Sequence, residues 1–509
     1  MSETLLISLI LLIPLFVAAA VAVLDKIPDV REAATLLGAC TLFALCIYMA
    51  TLVGQGEALR LTSPEVALGL TFDFKLEPLG AMFALIASGL WILNSIYSIG
   101  YMRGNRERNQ TRFYICFGIA IFGAMGVAMA GNLFTLFVFY EVLTLSTYPL
   151  VAHKGDENAR RGARIYLLTL LGTSIGLLLM GIVWTFAIAG SLDFVDGGLL
   201  AGQVGPALGG VLLLLFAFGV GKAALMPFHF WLPNAMVAPT PVSALLHAVA
   251  VVKAGVFTIL KVSVYVFGMD LLSALPMTEF ILGVACFTIV VSSLIALTKD
   301  NLKARLAYST VSQLSYVTAG AMLADQAAMM GASLQIAMHA MAKITLFMCA
   351  GAIYVATGKT EISQMRGLGR KMPIVFTAFL IGSLSIIGIP PLGGSWAKLE
   401  LVQGAVDADR IYVAFVLIAS TLLNVAYLLP IAILALMPPG GDKVQVPEFK
   451  RPGGAPALTV IPLSITAVGC FVLFFGVDVI AQFLSPVFEG GAEMAAPAVI
   501  ETSIEVPNE

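Results

Sequence analysis

Five side chains sit where an apolar membrane segment should carry no charge: Glu141 in "FVFYEVLTLSTYPL", Lys222 in "FGVGKAALMPFHFWLP", Lys253 in "HAVAVVKAGVF", Lys343 in "MHAMAKITLF" and Lys398 in "IGIPPLGGSWAKLE". An ionised residue in mid-bilayer costs about 2.5–3.5 kcal/mol, so five cost roughly 15 kcal/mol, comparable to the whole stability of a domain. A set that expensive is functional. Desolvation favours the free amine of a lysine, and an adjacent carboxylate favours the ammonium. At about 4 Å and an effective dielectric near 20, such a pair is worth about 4 kcal/mol. Making or parting a Glu–Lys contact would therefore load or unload a proton. A series of lysines spaced by histidine and water is a proton wire.

Two histidines share spans with these lysines. His247 lies six residues before Lys253, and His339 four before Lys343, which places the second pair on one helical face. Imidazole titrates near neutrality, so both are candidates for proton relay. Lys261, near a span's end, is expected to snorkel to the interface. His229 is expected at the interface, and His153, at the basic edge of its loop, in solvent.

The elements that must position these groups follow from composition. The chain has 509 residues, 59% hydrophobic and 11% charged, with a mean hydropathy of +0.97. A soluble domain carries about 25% charged residues, so this chain lacks the polar residues to cover a soluble surface. Hydropathy marks about fourteen spans, near 4–24, 33–54, 78–100, 113–130, 132–152, 162–190, 206–227, 240–268, 276–298, 304–323, 330–356, 372–403, 408–437 and 456–484. The expected fold is one all-α polytopic membrane domain over residues 1–509. Strands are not expected, because the runs are too long for a barrel and lack its alternation. The first segment has no basic n-region and is read as a retained helix rather than a signal peptide.

Charge sorts the connections. Of the 28 lysines and arginines, 20 fall in "DKIPDVRE", "RGNRERNQTR", "HKGDENARRGAR", "KDNLKAR", "GKTEISQMRGLGRK" and "DKVQVPEFKR", all following odd-numbered spans. Only Arg60, Lys75 and Arg410 are left for the other side. This asymmetry places the basic loops in the cytoplasm of an inner-membrane protein, with both termini outside.

Two spans should break within the membrane. Pro227 and Pro233 interrupt the seventh, and Pro390, Pro391, Gly393 and Gly394 interrupt the twelfth beside Lys398. Unwound backbone at membrane depth is tolerated only where protein or water satisfies it, and paired breaks point to a translocation path. Each break falls fourth in a group of five spans. That placement suggests two inverted five-helix repeats, 113–268 and 276–437.

Other chemistries find no support. The six cysteines lie in apolar segments without a CxxC pair, so neither a metal nor an iron–sulfur cluster is expected. "GVGKAA" lacks the phosphate-loop spacing. No Rossmann, haem or nucleophile-elbow motif occurs, so no cofactor and no catalysed reaction are expected of this chain alone. A net charge of −2 argues against nucleic acid as a partner.

At the charged residues the sequence resembles a known superfamily. "MPFHFWLPNAMVAPTPVSALLHAV", "NLKARLAYSTVSQLSYV", "HAMAKITLFMCAG" and "LSIIGIPPLGGSWAKLELV" are similar to signature segments of the antiporter-like proton-pumping subunits. These occur in respiratory complex I (NADH:quinone oxidoreductase), membrane-bound hydrogenases and Mrp-type multisubunit cation/proton antiporters. The resemblance covers about residues 70 to 435. It implies that Glu141 is the fifth-helix glutamate, Lys222 the lysine of the broken seventh helix, Lys253 that of the eighth and Lys398 that of the twelfth. It likewise implies that His339 and Lys343 are the eleventh-helix pair, that 113–268, with Glu141, Lys222 and Lys253, is the proton-input half, and that 276–437, ending at Lys398, is the output half. His247 stands where some members carry histidine and others do not.

The resemblance implies a hetero-oligomer with other membrane subunits. Protons would be the transported ion, with sodium or another monovalent cation as counter-ion in an Mrp-type antiporter. The length resembles that antiporter's D-type component and the mid-sized complex I subunits; the antiporter is the leading reading, and a complex I or hydrogenase subunit is the alternative. A stand-alone solute carrier, binding a small anion at Lys222 and the half-helix termini, and a non-conducting scaffold are further readings. Transport by the purified single chain would favour the carrier.

Overall fold

The computed structural model describes residues 2–67, 69–245, 250–438 and 454–489. His247 and the acidic C-terminal stretch lie outside the described residues. The chain folds as an all-α polytopic membrane protein. Its helices are α1 (Glu3–Val23), α2 (Pro28–Gly54), α3 (Pro78–Gly104), α4 (Gln110–Ala128), α5 (Leu133–Val151) and α6 (Glu157–Ala189, with a π-turn at Ser174–Leu178). Then follow α7 (Pro206–Gly219), α8 (Val251–Val262), α9 (Pro276–Thr298), α10 (Leu302–Leu323) and α11 (Gln326–Thr357). The last are α12 (Pro373–Ile387), α13 (Gly394–Asp407), α14 (Ile411–Leu436) and α15 (Ala457–Phe475).

Local chemistry fixes where these helices begin. Proline occupies the first turn of α2, α3, α7, α9 and α12, where its missing N–H is no loss. Side-chain caps start others: Asn132 accepts from the Thr135 N–H at 2.7 Å, Asp156 from Ala159 at 2.7 Å, and Asp325 from Ala328 at 3.0 Å.

Ten helices among the described residues are long and apolar enough to cross a membrane. α10 owes its place to packing instead. It carries Ser309, Thr310, Ser312, Gln313, Ser315 and Thr318, all buried, so its polar groups face protein rather than lipid. α11, with 32 residues, is about 48 Å long. It is buried nearly all round, as a helix at the centre of a bundle must be.

Both expected breaks are present. α7 ends at Gly219, and a single tight turn at Gly221–Ala223 carries Lys222. Two short turns, Trp231–Asn234 and Ala235–Val237, follow. α12 ends at Ile387 and is capped by Gly388 in a left-handed conformation (φ 90°), and α13 restarts at Gly394.

One expectation is corrected. Strands do form: β1 (Leu59–Ala67) and β2 (Leu70–Leu76) pair antiparallel, from Leu59 opposite Leu76 to Ala67 opposite Leu70. The hairpin joins α2 to α3. Its register shifts between Thr62 and Ala67, which interrupts the alternation that would have betrayed it. Arg60 holds it by an ion pair to buried Asp73 at 2.8 Å.

Candidate proton-translocation site

The lysines are buried as their cost demands. Lys222, Lys253 and Lys343 are fully inaccessible, and Lys398 is 9% exposed. None of the four forms an ion pair among the described residues. Neutral oxygens, aromatic faces and an imidazole hold them instead.

The break in the seventh span delivers Lys222 to α5. Its Nζ donates to the Tyr140 carbonyl at 2.8 Å and to Thr144 Oγ1 at 2.6 Å, and sits 3.1 Å from the centre of the Tyr140 ring. The Tyr140 hydroxyl in turn accepts the Lys222 backbone N–H at 3.1 Å. These partners bracket Glu141 on α5, which makes no ion pair with Lys222. Both Glu141 carboxylate oxygens are shielded from solvent and have no hydrogen-bond partner among the described residues. A buried carboxylate left without donors is a group waiting for one.

α8 lies directly on the Lys222 turn. A Cβ on Gly255 would overlap the Lys222 backbone, so glycine alone permits this approach. Two residues earlier on α8, Lys253 Nζ lies 2.7 Å from Nδ1 of His339 on α11. Four residues along α11, Lys343 Nζ donates to the Leu306 carbonyl at 3.2 Å and to Ser309 Oγ at 2.6 Å. The Tyr427 hydroxyl joins Ser309 at 2.9 Å and also bonds Asn424.

Lys398 repeats the Lys222 arrangement with different residues. Its Nζ donates to the Ile387 carbonyl, at the broken end of α12, and to Thr421 Oγ1 on α14, both at 2.9 Å. The Tyr316 ring lies 5.3 Å away. The Tyr316 hydroxyl is surrounded by Gln313, Ser420, Thr421 and Asn424, the last of which also bonds Tyr427. Polar side chains therefore connect the Lys343 and Lys398 environments.

Of the residues singled out by sequence, Glu141 and Lys222 share one environment, and Lys253, His339 and Lys343 share a second. Lys398 stands at the far end. Tyr140, Thr144, Ser309, Tyr316, Thr421 and Tyr427 were not foreseen as their partners. A usable signal existed: hydroxyl residues within apolar spans, at one and three positions from Glu141 and throughout "AYSTVSQLSY".

Two expectations are corrected. Lys261 does not snorkel: it is fully buried, ion-paired with Glu77, and donates to the Ala130 carbonyl at 2.6 Å. The hairpin and the start of α3 bring that carboxylate over the end of α8, which apolar periodicity could not reveal. His153 is not solvated but 4% exposed, packed edge-on against Phe113.

The architecture recurs in solved membrane complexes. The chain superposes on a chain of the Mrp complex from Dietzia sp. DQ12-45-1b with a TM-score of 0.81 at 21% identity, covering 96% of this chain and 98% of that one. It superposes on a chain of the membrane-bound sulfane sulfur reductase, an archaeal respiratory membrane complex, with a TM-score of 0.83 at 22% identity and the same coverage. The fold is thus shared with one chain of each of these two membrane complexes. The family described as "NADH:quinone oxidoreductase/Mrp antiporter, TM" matches residues 130–426, and this chain belongs to it. The family described as "NADH-Ubiquinone oxidoreductase (complex I), chain 5 N-terminus" matches residues 65–114.

Among relatives, NADH-quinone oxidoreductase subunit N of Desulforudis audaxviator is 30% identical over 482 residues, 91% of this chain and 94% of that protein. A probable K(+)/H(+) antiporter subunit of Rhizobium meliloti is 33% identical over 350 residues, 68% of this chain but 34% of the relative. A Na(+)/H(+) antiporter subunit of Alkalihalophilus pseudofirmus is 32% identical over 378 residues, 70% of this chain and 46% of the relative. The chain is an antiporter-like membrane subunit of the Mrp and NADH:quinone oxidoreductase type.

Proposed function

We propose that this chain is the proton-translocating subunit of a multisubunit Na+/H+ antiporter, conducting protons along Glu141, Lys222, Lys253, His339, Lys343 and Lys398. His247 is included on sequence grounds. One observation carries the reading: four lysines are buried without ion pairs among the described residues, and Lys253 meets His339 across two helices. A buried lysine held by neutral partners can exist as amine or ammonium, and the two states are exchanged by a nearby charge. Glu141, without donors of its own, is that charge at one end. Its movement toward Lys222 would favour the ammonium there, and its withdrawal would release the proton onward.

On this reading residues 113–268 form the input half and 276–437 the output half, joined at Lys253–His339. The basic loops face the cytoplasm of an inner-membrane protein, and the N-terminus lies outside. Other membrane subunits are the partners, and the chain catalyses no redox chemistry itself. The counter-ion is sodium or another monovalent cation. A role as proton-pumping subunit of an NADH:quinone oxidoreductase is the second reading. It is favoured by the match to a subunit N along 94% of that protein's length.

The test is transport by the native gene cluster in everted vesicles of a transporter-deficient host, read by a pH dye. Sodium-dependent dequenching that disappears with Lys222→Ala supports antiport. Quenching driven by NADH, insensitive to sodium and lost in the same variant, supports the second reading. Full activity of Lys222→Ala in both formats would falsify proton conduction through this line.

A further inference from the structure

The face bearing the basic loops contains a small cavity that the lysine line does not use. It measures about 140 Å³ and lies where the start of α10, the end of α11 and the segment before Thr240 meet. Lys154, Lys303 and Lys359 line it, together with Tyr101, Tyr354 and Thr240. A water molecule needs at least about 10–15 Å³ of cavity, so the space is large enough for several waters or one compact polyatomic ion.

Its electrostatics are one-sided. None of the three lysines forms an ion pair among the described residues. Lys303 is half-buried, and its Nζ donates to the Ala238 carbonyl at 2.5 Å, which leaves further N–H donors for the cavity. Lys154 and Lys303 line the same cavity as groups of like charge type. Acids beside these lysines among the described residues include Glu107, Asp300 and Glu361. Glu107 acts on Lys154 from a distance. Asp300 accepts from Ser363 Oγ at 2.6 Å, and Glu361 from Asn301 Nδ2 and Thr360 Oγ1, each at 3.0 Å. Neutral donors thus hold two of the three carboxylates. The first turn of α10 adds the positive end of a 22-residue helix, with Asn301 at its cap.

We infer that this cavity is a phosphate-binding site, filled by the phosphodiester of an anionic phospholipid from the adjoining leaflet. Three lysines around a space of this size need a compact anion with several acceptor oxygens, and a basic pocket between spans at a headgroup surface meets one there. The site is independent of proton conduction, because none of its residues belongs to the lysine line. Its expected effect is to lock α10 to α11 at their basic ends.

The test uses the full-length protein, delipidated in detergent and returned to nanodiscs of phosphatidylcholine with or without phosphatidylglycerol. The apparent Tm and the lipid retained in native mass spectrometry are the readouts. Phosphatidylglycerol should raise the Tm and co-purify, and Lys359→Met should weaken retention about fivefold, as expected for one basic contact. Lys303→Met with Lys359→Met should abolish the difference between lipids. Should that double variant fail to fold, Lys154→Met with Lys359→Met, which leaves the Lys303–Ala238 bond, makes the same test. A parallel arm adds sodium phosphate in place of chloride at matched ionic strength. A Tm rise there alone supports the phosphate site but assigns its source to solution. Equal behaviour of all lipids and anions with the wild type, or an unchanged lipid preference in the lysine variants, overturns the inference.

Discussion

Lys253 of α8 and His339 of α11 meet at 2.7 Å, both essentially buried. A lysine so placed can donate to the imidazole as an ammonium or accept from it as a free amine, and either arrangement keeps the contact. Lys253→Met and His339→Gln should each lower coupled transport about a hundredfold, the scale of a positioned proton-transfer group. The double variant should be little worse than either alone, because both remove one step. Multiplicative losses in vesicle assays would show the two acting separately.

At the other end, Lys222 is held by Tyr140 and Thr144 rather than by Glu141. Glu141→Gln removes the charge and should abolish coupled transport with assembly intact, whereas Glu141→Asp should retain part of it. Thr144→Val removes one oxygen from Lys222 and should slow turnover without eliminating it, since the Tyr140 carbonyl remains. Blue-native gels of the assembled complex separate these losses from failed assembly. Wild-type rates in Glu141→Gln would remove the carboxylate from the mechanism.

How much of this was legible in the chain depends on what each residue meets. The spans were legible because a bilayer imposes its thickness on every crossing, and the two breaks because proline cannot continue a helix. Glu141 and the four lysines announced themselves by their cost in an apolar run. Their partners did not, since Ser309, Tyr427 and Thr421 are ordinary residues until the bundle brings α10 and α14 to the lysines. The hairpin was missed because it is short and its register shifts. Lys261 was misread because its counter-ion, Glu77, is 184 positions earlier in the sequence, and only tertiary structure joins them.

That Glu77–Lys261 pair carries its own expectation. Lys261 is wholly buried and Glu77 only 6% exposed, so removing either partner leaves an uncompensated charge among protein atoms. Lys261→Met or Glu77→Gln alone should cost about 3–5 kcal/mol, and the paired substitution far less. Apparent Tm of the purified variants checks this. A double variant as unstable as the worse single would place the stabilisation in the Lys261–Ala130 bond rather than in the pair.

His153 gives the pH dependence. Burial, reinforced by the nearby Arg112 charge, pushes its imidazole down from 6.5 to about 4. Between those values the unfolded chain binds a proton that the folded protein refuses. Stability contributed by the neutral ring is therefore fully present above pH 6.5 and is lost as the pH falls toward 4. The apparent Tm of the wild type should drop across that window more steeply than that of His153→Gln, which keeps a polar side chain but cannot be charged. Above pH 7 the two curves should run parallel. Parallel curves down to pH 4 would mean that the ring takes up its proton in the folded protein, and that the loop after α5 opens to admit it.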